Sequence, residues 1–189
     1  MEKKKVVLEH QATNGNSYQP IELELVNLRS LPKNCDNHDV IEMIRKYNFL
    51  LNNINATGTF DNILKLQTIN NDKIIISKST GLMWHQSGSE APINWYIGKG
   101  WIRELNRSGY AGFFDWRIPT VEEVASLLKE REINMDLFVD NSFSNLQKSI
   151  WTCDNDGTYD TWRVDFQNGC INLKNNDCKS HIRPVRSCK

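Results

Sequence analysis

The stretch TWRVDFQNGCINL, residues 161–173, constrains the fold more than any other part of the chain. Large apolar residues alternate with polar ones on both sides of Asn168-Gly169, a pattern typical of a β-hairpin closed by a two-residue type I′ turn. The register that follows pairs Phe166 with Ile171 and Val164 with Leu173. One face of the hairpin is then apolar, so we expect the hairpin to lie on the core of a larger domain.

Three segments have the pattern of helices. Thr120 and Glu123 form a capping-box pair after Pro119, which predicts a helix start at Val121 with an apolar face reaching Leu128. A second helix, within 91–109, is expected to be interrupted by Gly98 and Gly100 and to end at Gly109. A third is predicted from His38 to Leu51, with Asp36 or Asn37 as its N-cap.

Short strands complete the pattern. Alternation predicts a strand over 21–28, and apolar runs predict strands at 74–76 and 82–86. The last segment, HIRPVRS, is a further strand in which Pro184 indicates an edge position or a strand end. We interpret residues 1–70 as an N-terminal strand and helix arm packed on a main domain of residues 71–189, and the fold class as α+β.

Composition excludes several classes of protein. The 189 residues contain 23 Lys and Arg against 23 Asp and Glu, so a polybasic nucleic-acid binder is not expected. The sequence contains no run of 18 apolar residues, so no transmembrane segment is predicted. The start, MEKKKVVLEHQ, has too few consecutive apolar residues to form the hydrophobic region of a signal peptide. A cytoplasmic protein is therefore favoured, and export or surface display is left open.

Four strings in this order, TGLMWHQSGS, YIGKGWIRELNRSGYAGFFDWRIPTVEEVASLL, IWTCD…TWRVDFQNG and HIRPVRS, resemble the C-terminal domain of the collagen-like adhesin Lcl. The resemblance spans residues 74–187. It implies a fold like the C-type lectins and the formylglycine-generating enzymes, with two helices flanking a small antiparallel sheet and long polar loops. It also implies a binding role, since the adhesin domain recognises sulfated glycans and some relatives are retroelement-diversified, variable binding proteins.

The glycan specificity does not carry over, because the cations near the predicted loops are interleaved with carboxylates. We expect two polar segments, 153–160 and 172–181, to be exposed and to form one ligand-binding surface. The predicted ligand-binding residues are Asp154, Asn155, Asp156, Thr158, Tyr159, Asp160, Asn172, Lys174, Asn175, Asn176, Asp177, Lys179 and His181. The tryptophans around these segments are interpreted as core anchors rather than as ligand contacts.

The alternatives for this region involve metals and thiols. Asp154, Asp156 and Asp160 resemble part of a calcium loop, but Thr152 and Arg163 occupy its first and last positions, so no cofactor is predicted. Irregular spacings disfavour zinc at Cys170, Cys178, His181 and Cys188. Free thiols are expected, with a disulfide from Cys170 or Cys153 to Cys178 as the alternative.

No motif of an enzyme stands out, because GxSxG, HExxH and P-loop patterns are missing from the sequence. The sequence therefore predicts a non-enzymatic module that binds a protein or a glycan. An intracellular sensory or regulatory domain is the alternative, and a metal or cysteine enzyme, for instance with a Cys178-His181 pair, is the third hypothesis.

Overall fold

The computed structural model describes residues 3–7, 22–130 and 136–188. The helices and strands of this part, in chain order, are β1 (Lys3–Val7), β2 (Glu22–Val26), α1 (Asn37–Tyr47), β3 (Leu64–Ile69), β4 (Asp72–Ser77), β5 (Leu82–His85), α2 (Trp95–Ser108), a 3₁₀ turn (Tyr110–Gly112), α3 (Val121–Ala125), β6 (Ser149–Asn155), β7 (Asp160–Asp165), β8 (Cys170–Asn175) and β9 (Val185–Ser187). The α+β class is confirmed. Ile21, the first residue of the predicted 21–28 strand, lies outside the described residues.

The larger sheet has the strand order β3-β4-β5-β9, and all its neighbouring strands are antiparallel. Asn70 and Asn71 both have positive φ, 51° and 69°, and form the tight turn between β3 and β4. The last strand lies at the edge of the sheet and begins directly after Pro184, as the sequence predicts. Strand β3 belongs to the predicted arm, yet it pairs along its whole length with β4 of the predicted main domain. The division into two parts at residue 70 stays a prediction.

Strands β1 and β2 form a separate two-stranded sheet. The three-stranded sheet, called the smaller sheet below, has the order β6-β7-β8 and contains the predicted hairpin, but the predicted register of the hairpin is wrong. Val164 lies opposite Ile171, and Trp162 lies opposite Leu173. The turn has four residues, 166–169, because the Asp165 carboxylate accepts hydrogen bonds from the backbone N–H groups of Gln167 at 3.0 Å and Asn168 at 3.1 Å. The shift is two residues, so the apolar face is preserved and buried.

Helices α1 and α3 begin within one residue of their predicted starts, whereas α2 begins at Trp95 rather than at the start of the predicted segment. Helix α1 has Asp36 as its N-cap in a capping box, but it ends at Tyr47 because Asn48 adopts the left-handed conformation, so the predicted end at Leu51 is wrong. Helix α2 runs to Gly109 without interruption at its glycines. The capping box of Thr120 is confirmed, and α3 has only five residues.

The main core includes residues of the four-stranded and three-stranded sheets and joins the predicted arm to the predicted main domain. Residues of α1, such as Ile44, pack in the same cluster as Val124, Trp162 and Phe166. The expectation that tryptophans form the core is confirmed for the four that are buried, namely Trp84, Trp116, Trp151 and Trp162. Trp95 and Trp101 are half-buried. Buried tryptophans therefore form part of the frame that carries the polar segments.

Candidate functional site

The two polar segments meet at one end of the smaller sheet. Asp160 on β7 pairs with Asn175 on β8, and the Asn175 side-chain amide donates to Asp160 Oδ1 at 3.3 Å. Beyond the strands, the Asn176 backbone N–H donates to the Tyr159 carbonyl oxygen at 3.0 Å. The exposed parts of the segments 153–160 and 172–181 thus form one continuous surface, as the interpretation of the sequence requires.

The first part of this surface is the turn between β6 and β7, residues 156–159. One carboxylate oxygen of Asp156 accepts hydrogen bonds from the Thr158 backbone N–H at 3.0 Å and from its hydroxyl at 2.5 Å. The hydrogen bond from Thr158 holds the pKa of Asp156 below its ordinary value. These local bonds fix the turn, and Tyr159 at its end is left 76% exposed.

The second part is the turn that follows β8. The Asn175 side-chain oxygen accepts a hydrogen bond from the Asp177 backbone N–H at 3.1 Å, and the Asn175 carbonyl oxygen accepts one from Cys178 at 2.9 Å. This turn leaves Lys174, Asn175, Asp177 and Lys179 exposed. Cations and carboxylates alternate here, so the turn has no strong charge of one sign.

The third part, which the sequence analysis missed, is the first turn of α2. The Trp95 backbone N–H donates to the Asn176 carbonyl oxygen at 3.1 Å, so the helix start adjoins the second turn. Tyr96 is 50% exposed and Ile97 is 57% exposed. The Lys99 ammonium lies 4.5 Å from the centre of the Trp95 ring. The signal was available in the sequence, because three consecutive large residues, 95–97, cannot all lie on one face of a helix.

We call these exposed residues the rim surface. Its members are Tyr96, Ile97, Asp156, Thr158, Tyr159, Lys174, Asn175, Asp177 and Lys179. All are exposed except Asp156, which is half-buried. The surface combines two tyrosines and an isoleucine with short polar side chains, a composition that suits adaptable recognition.

Asp154 does not belong to the rim surface, and the prediction that it is displayed to a ligand is wrong. Its side chain is fully buried at the end of β6. Both carboxylate oxygens accept hydrogen bonds at 2.8 Å from the guanidinium of Arg29, and further bonds come from the backbone N–H groups of Lys33 at 2.8 Å and Val121 at 2.7 Å. Through these buried hydrogen bonds, Asp154 connects the predicted arm to the start of α3.

Two more predicted ligand contacts are buried. Asn176 is 8% exposed and His181 is 6% exposed. The backbone of His181 is held to β6 by two hydrogen bonds, since its carbonyl oxygen accepts one from Trp151 and its N–H donates one to Ser149. Burial lowers the pKa of the His181 imidazole. Both residues support the rim surface from below rather than form part of it.

The three remaining predicted residues are half-buried at the margin of the surface. Asn155 exchanges backbone hydrogen bonds with the arm, donating to Lys33 and accepting from Cys35. The Asn172 side-chain oxygen accepts a hydrogen bond from Arg163 Nε at 2.9 Å. Asp160 is held by the side chain of Asn175. These residues are engaged within the protein, and a role in ligand contact stays a prediction for them.

Thiols and candidate metal ligands are spread apart. Within residues 22–130 and 136–188, no group of three or more His, Cys, Asp or Glu side chains is placed to hold a metal ion. All five cysteines have free thiols. Burial, with the nearby Asp154 carboxylate, raises the pKa of Cys153 to about 12, so this thiol stays protonated at neutral pH. Cys178 is exposed, whereas His181 is buried.

The residues from 73 to 186, which include both turns and α2, match the family model described as the Lcl C-terminal domain. The match covers more than half of the chain. The chain belongs to the Lcl C-terminal domain family. No curated protein and no solved structure gives a significant match, so the C-type-lectin-like arrangement expected from the resemblance stays a prediction. In this Lcl C-terminal domain, no helix of the described residues is long and apolar enough to cross a membrane.

Proposed function

We propose that the protein is a non-enzymatic binding module whose rim surface contacts a protein or a glycan ligand. Membership of the Lcl C-terminal domain family is consistent with an adhesin-like or binding module. The observation that carries the proposal is the exposure of Tyr96, Ile97 and Tyr159 beside two hydrogen-bonded polar turns. Exposed aromatic residues on rigid supports are efficient anchors for a ligand, because little conformational entropy is lost when they are covered.

The support beneath the rim surface favours this function. Trp151 and Trp162 are buried, and their indole N–H groups donate to the carbonyl oxygens of Ile93 at 3.0 Å and Cys35 at 2.9 Å. The Trp95 indole donates to the Thr152 carbonyl oxygen at 2.9 Å. Two of these bonds thus join β6 to α2 and to the segment before it, and the third joins β7 to the segment before α1. A ligand meeting the rim surface would bind a preformed site, which lowers the cost of binding.

The charges of the rim surface bear on the kind of ligand. Lys174 and Lys179 of this surface are exposed, as is the neighbouring Lys99, but the carboxylates of Asp156 and Asp177 belong to the same surface. A polyanion would meet repulsion as well as attraction at this surface. We therefore expect a ligand bound through aromatic contacts and hydrogen bonds, with weak dependence of its affinity on salt concentration.

The proposal is tested by screening the purified protein against immobilised glycans and against candidate protein partners. The variant carrying Tyr96→Ala and Tyr159→Ala should lose binding to the ligands retained by the wild-type protein by at least about tenfold, since aromatic anchors dominate such contacts. The matched control is Leu66→Ala, which removes an exposed apolar side chain from β3 in the other sheet. Binding that survives in the double variant and is lost in the control would contradict the proposal.

A further inference from the structure

Strand β8 is the last strand of the smaller sheet, and its side away from β7 is unpaired among the described residues. The Asn176 backbone N–H donates to the Tyr159 carbonyl oxygen at 3.0 Å, and this contact extends the register of β7 and β8 by one hydrogen-bonded pair. Hydrogen-bonded and non-hydrogen-bonded pairs alternate along an antiparallel ladder. Ile171 and Leu173 therefore belong to non-hydrogen-bonded pairs, and their N–H and C=O groups point away from β7.

This edge of the sheet is open in the part of the chain that the structure describes. No described residue forms a hydrogen bond with the backbone groups of Ile171 and Leu173 on this side. The predicted arm reaches only the turn before β8, where the Asn52 backbone N–H donates to the Gly169 carbonyl oxygen at 3.2 Å. Residues 170–173 are half-buried, and the two residues that end the strand are exposed. The outward backbone groups of β8 are thus left for a partner.

The other edges of the four-stranded and three-stranded sheets are covered or charged. Single bridges to Asn34 and His181 cover β6, and a bridge to Arg117 covers β9. Strand β3 contains Lys65, and a charge of this kind opposes the pairing of an edge with a further strand. Residues 170–173, with the sequence CINL, contain neither a charge nor a proline. An uncharged open edge is a template for one more strand.

The side chains along the edge indicate what the added strand would carry. Ile171 and Leu173 pack against the main core but are only half-buried, so apolar side chains beside them would complete their burial. On the opposite face, Arg163 pairs with Asp165 at 3.6 Å. Lys174 lies on that face too, is exposed, and has no ion pair with a described residue. A carboxylate on the added strand would complement this lysine.

We propose that β8 takes up an extended segment of a partner protein as a further strand of the smaller sheet, hydrogen-bonded to the backbone of Ile171 and Leu173. The inference rests on the proposed function, because β8 ends in Lys174 and Asn175 of the rim surface, and it assigns the ligand to proteins rather than to glycans. Backbone hydrogen bonds supply affinity in this mode of recognition, and alternate side chains supply specificity. The preferred segment has apolar residues beside Ile171 and Leu173 and an acidic residue beside Lys174.

The first experiment uses short linear peptides selected from a displayed random library on the purified full chain. Amide exchange measured by NMR should be fast at Ile171 and Leu173 in the free protein and slow at Asn172 and Lys174, whose N–H groups face β7. The bound peptide should slow exchange at Ile171 and Leu173 by at least about tenfold, since each gains a hydrogen bond. Recovery of no binding peptide, or unchanged exchange at both residues, would overturn the inference.

N-methylation of the selected peptide tests the backbone pairing directly. Methyl groups at alternate residues remove the N–H groups on one side of the extended peptide only. One alternate series should lose affinity by at least about tenfold, and the other should keep it, because only one side of the peptide faces β8. Equal effects of the two series would contradict the addition of a strand.

Two proline variants locate the edge. Leu173→Pro removes an outward N–H while the ladder to β7 remains, and it should weaken peptide binding by about tenfold. Leu66→Pro is the matched control, because the Lys78 N–H donates to the Ile63 carbonyl oxygen at 2.8 Å and the same alternation directs the Leu66 N–H away from β4. The same affinity in both variants would count against the site. If Leu173→Pro does not fold, the N-methylated peptides decide.

The outcomes separate this inference from the proposed function. If Tyr96→Ala with Tyr159→Ala abolishes binding while the edge shows neither protection nor sensitivity to N-methylation, the rim surface binds its ligand without an added strand. Retention of glycans but of no peptide leads to the same conclusion. Peptide binding that needs the β8 edge and is unchanged by the two tyrosine substitutions would contradict the proposed role of the rim surface. Pairing of β8 with β8 of a second copy, detected as a dimer that peptides do not dissociate, would overturn the assignment of the occupant.

Discussion

Asp154 shows how one buried carboxylate can hold two parts of a chain together. The carboxylate accepts hydrogen bonds from the Arg29 guanidinium and from two backbone N–H groups, so its negative charge is compensated inside the protein. Arg29 in turn receives a hydrogen bond on its carbonyl oxygen from Thr120, and its N–H donates to Glu122. Removing the carboxylate would leave several polar groups of this network unpaired.

We expect Asp154→Ala to lower the free energy of unfolding by about 3–5 kcal/mol, the usual effect of breaking one side of a buried ion pair. Asp177→Ala is the control at the exposed turn and should change the free energy of unfolding by less than about 0.5 kcal/mol. Urea unfolding at neutral pH measures both. If the two variants were equally stable, the assignment of Asp154 to the interior would be contradicted.

His85 makes stability depend on pH. Its Nδ1 accepts a hydrogen bond from the Gly88 N–H at 2.8 Å, and its ring stacks on Tyr110 at 4.0 Å. Burial lowers the pKa of His85 from 6.5 to about 4. Between these values the unfolded chain binds a proton that the folded protein does not, so stability is full above about pH 6.5 and falls as the pH drops toward 4.

The pH dependence can be assigned by substitution. Unfolding by urea at pH 7 and pH 5 should give a lower free energy at pH 5 for the wild-type protein. In His85→Phe the difference between the two pH values should shrink, although this variant is less stable at both because the acceptor for Gly88 is lost. An imidazole pKa near 6.5 for His85 in the folded protein, measured by NMR, would contradict this account.

At the scale of elements, the position of α2 depends on the close approach of Gly98 to the side chain of Ile182. A Cβ atom added at Gly98 would lie 2.6 Å from Ile182 Cδ1, and Ile182 is fully buried. The helix therefore lies directly against the segment that precedes β9, and its first turn is brought beside Asn176 and the rim surface. A side chain at this position would push the helix outward.

Two glycines in the same helix provide a matched pair. Gly98→Ala should lower the free energy of unfolding by about 1–3 kcal/mol through overpacking. At Gly100 an added Cβ meets only the end of the Arg103 side chain at 3.7 Å. Gly100→Ala should therefore raise the free energy of unfolding by about 0.5–1 kcal/mol, as alanine favours helix over glycine. A stabilising Gly98→Ala would show that the helix does not pack this closely.

The same elements show which features could be predicted from the sequence. The capping box of Thr120 and Glu123 was predictable because its partners are three residues apart. The existence of the β7–β8 hairpin was predictable from alternation, whereas its register depends on the side chain of Asp165, which pattern alone does not reveal. The burial of Asp154 could not be predicted, because Arg29 lies 125 residues away in the chain.

At the scale of the whole molecule, the structure separates a supporting frame from a displayed surface. The frame consists of the four-stranded and three-stranded sheets with buried tryptophans between and around them, together with ion pairs such as Arg186 with Asp115 at 2.6 Å and Arg117 with Glu123 at 2.5 Å. Both pairs involve the segment 115–117. The rim surface adds little to this frame, since its side chains are largely exposed.

The separation predicts that the rim surface can be changed without unfolding the protein. Replacing Tyr96, Tyr159 and Lys179 together by Ala should alter the free energy of unfolding by less than about 1.5 kcal/mol, the sum of three exposed substitutions. Trp162→Ala, in the frame, should cost about 3–5 kcal/mol. Thermal and urea unfolding of both variants measure the difference, and a rim variant as unstable as Trp162→Ala would contradict the separation.

The most direct test of the proposed function is amide hydrogen exchange of the full chain, free and bound to a ligand retained in the screen. We predict slower exchange on binding at residues 95–98, 156–160 and 174–179, with the opposite edge at β3 unchanged. Protection confined to β3 or α1, with none in those three segments, would show that the rim surface is not where the ligand binds.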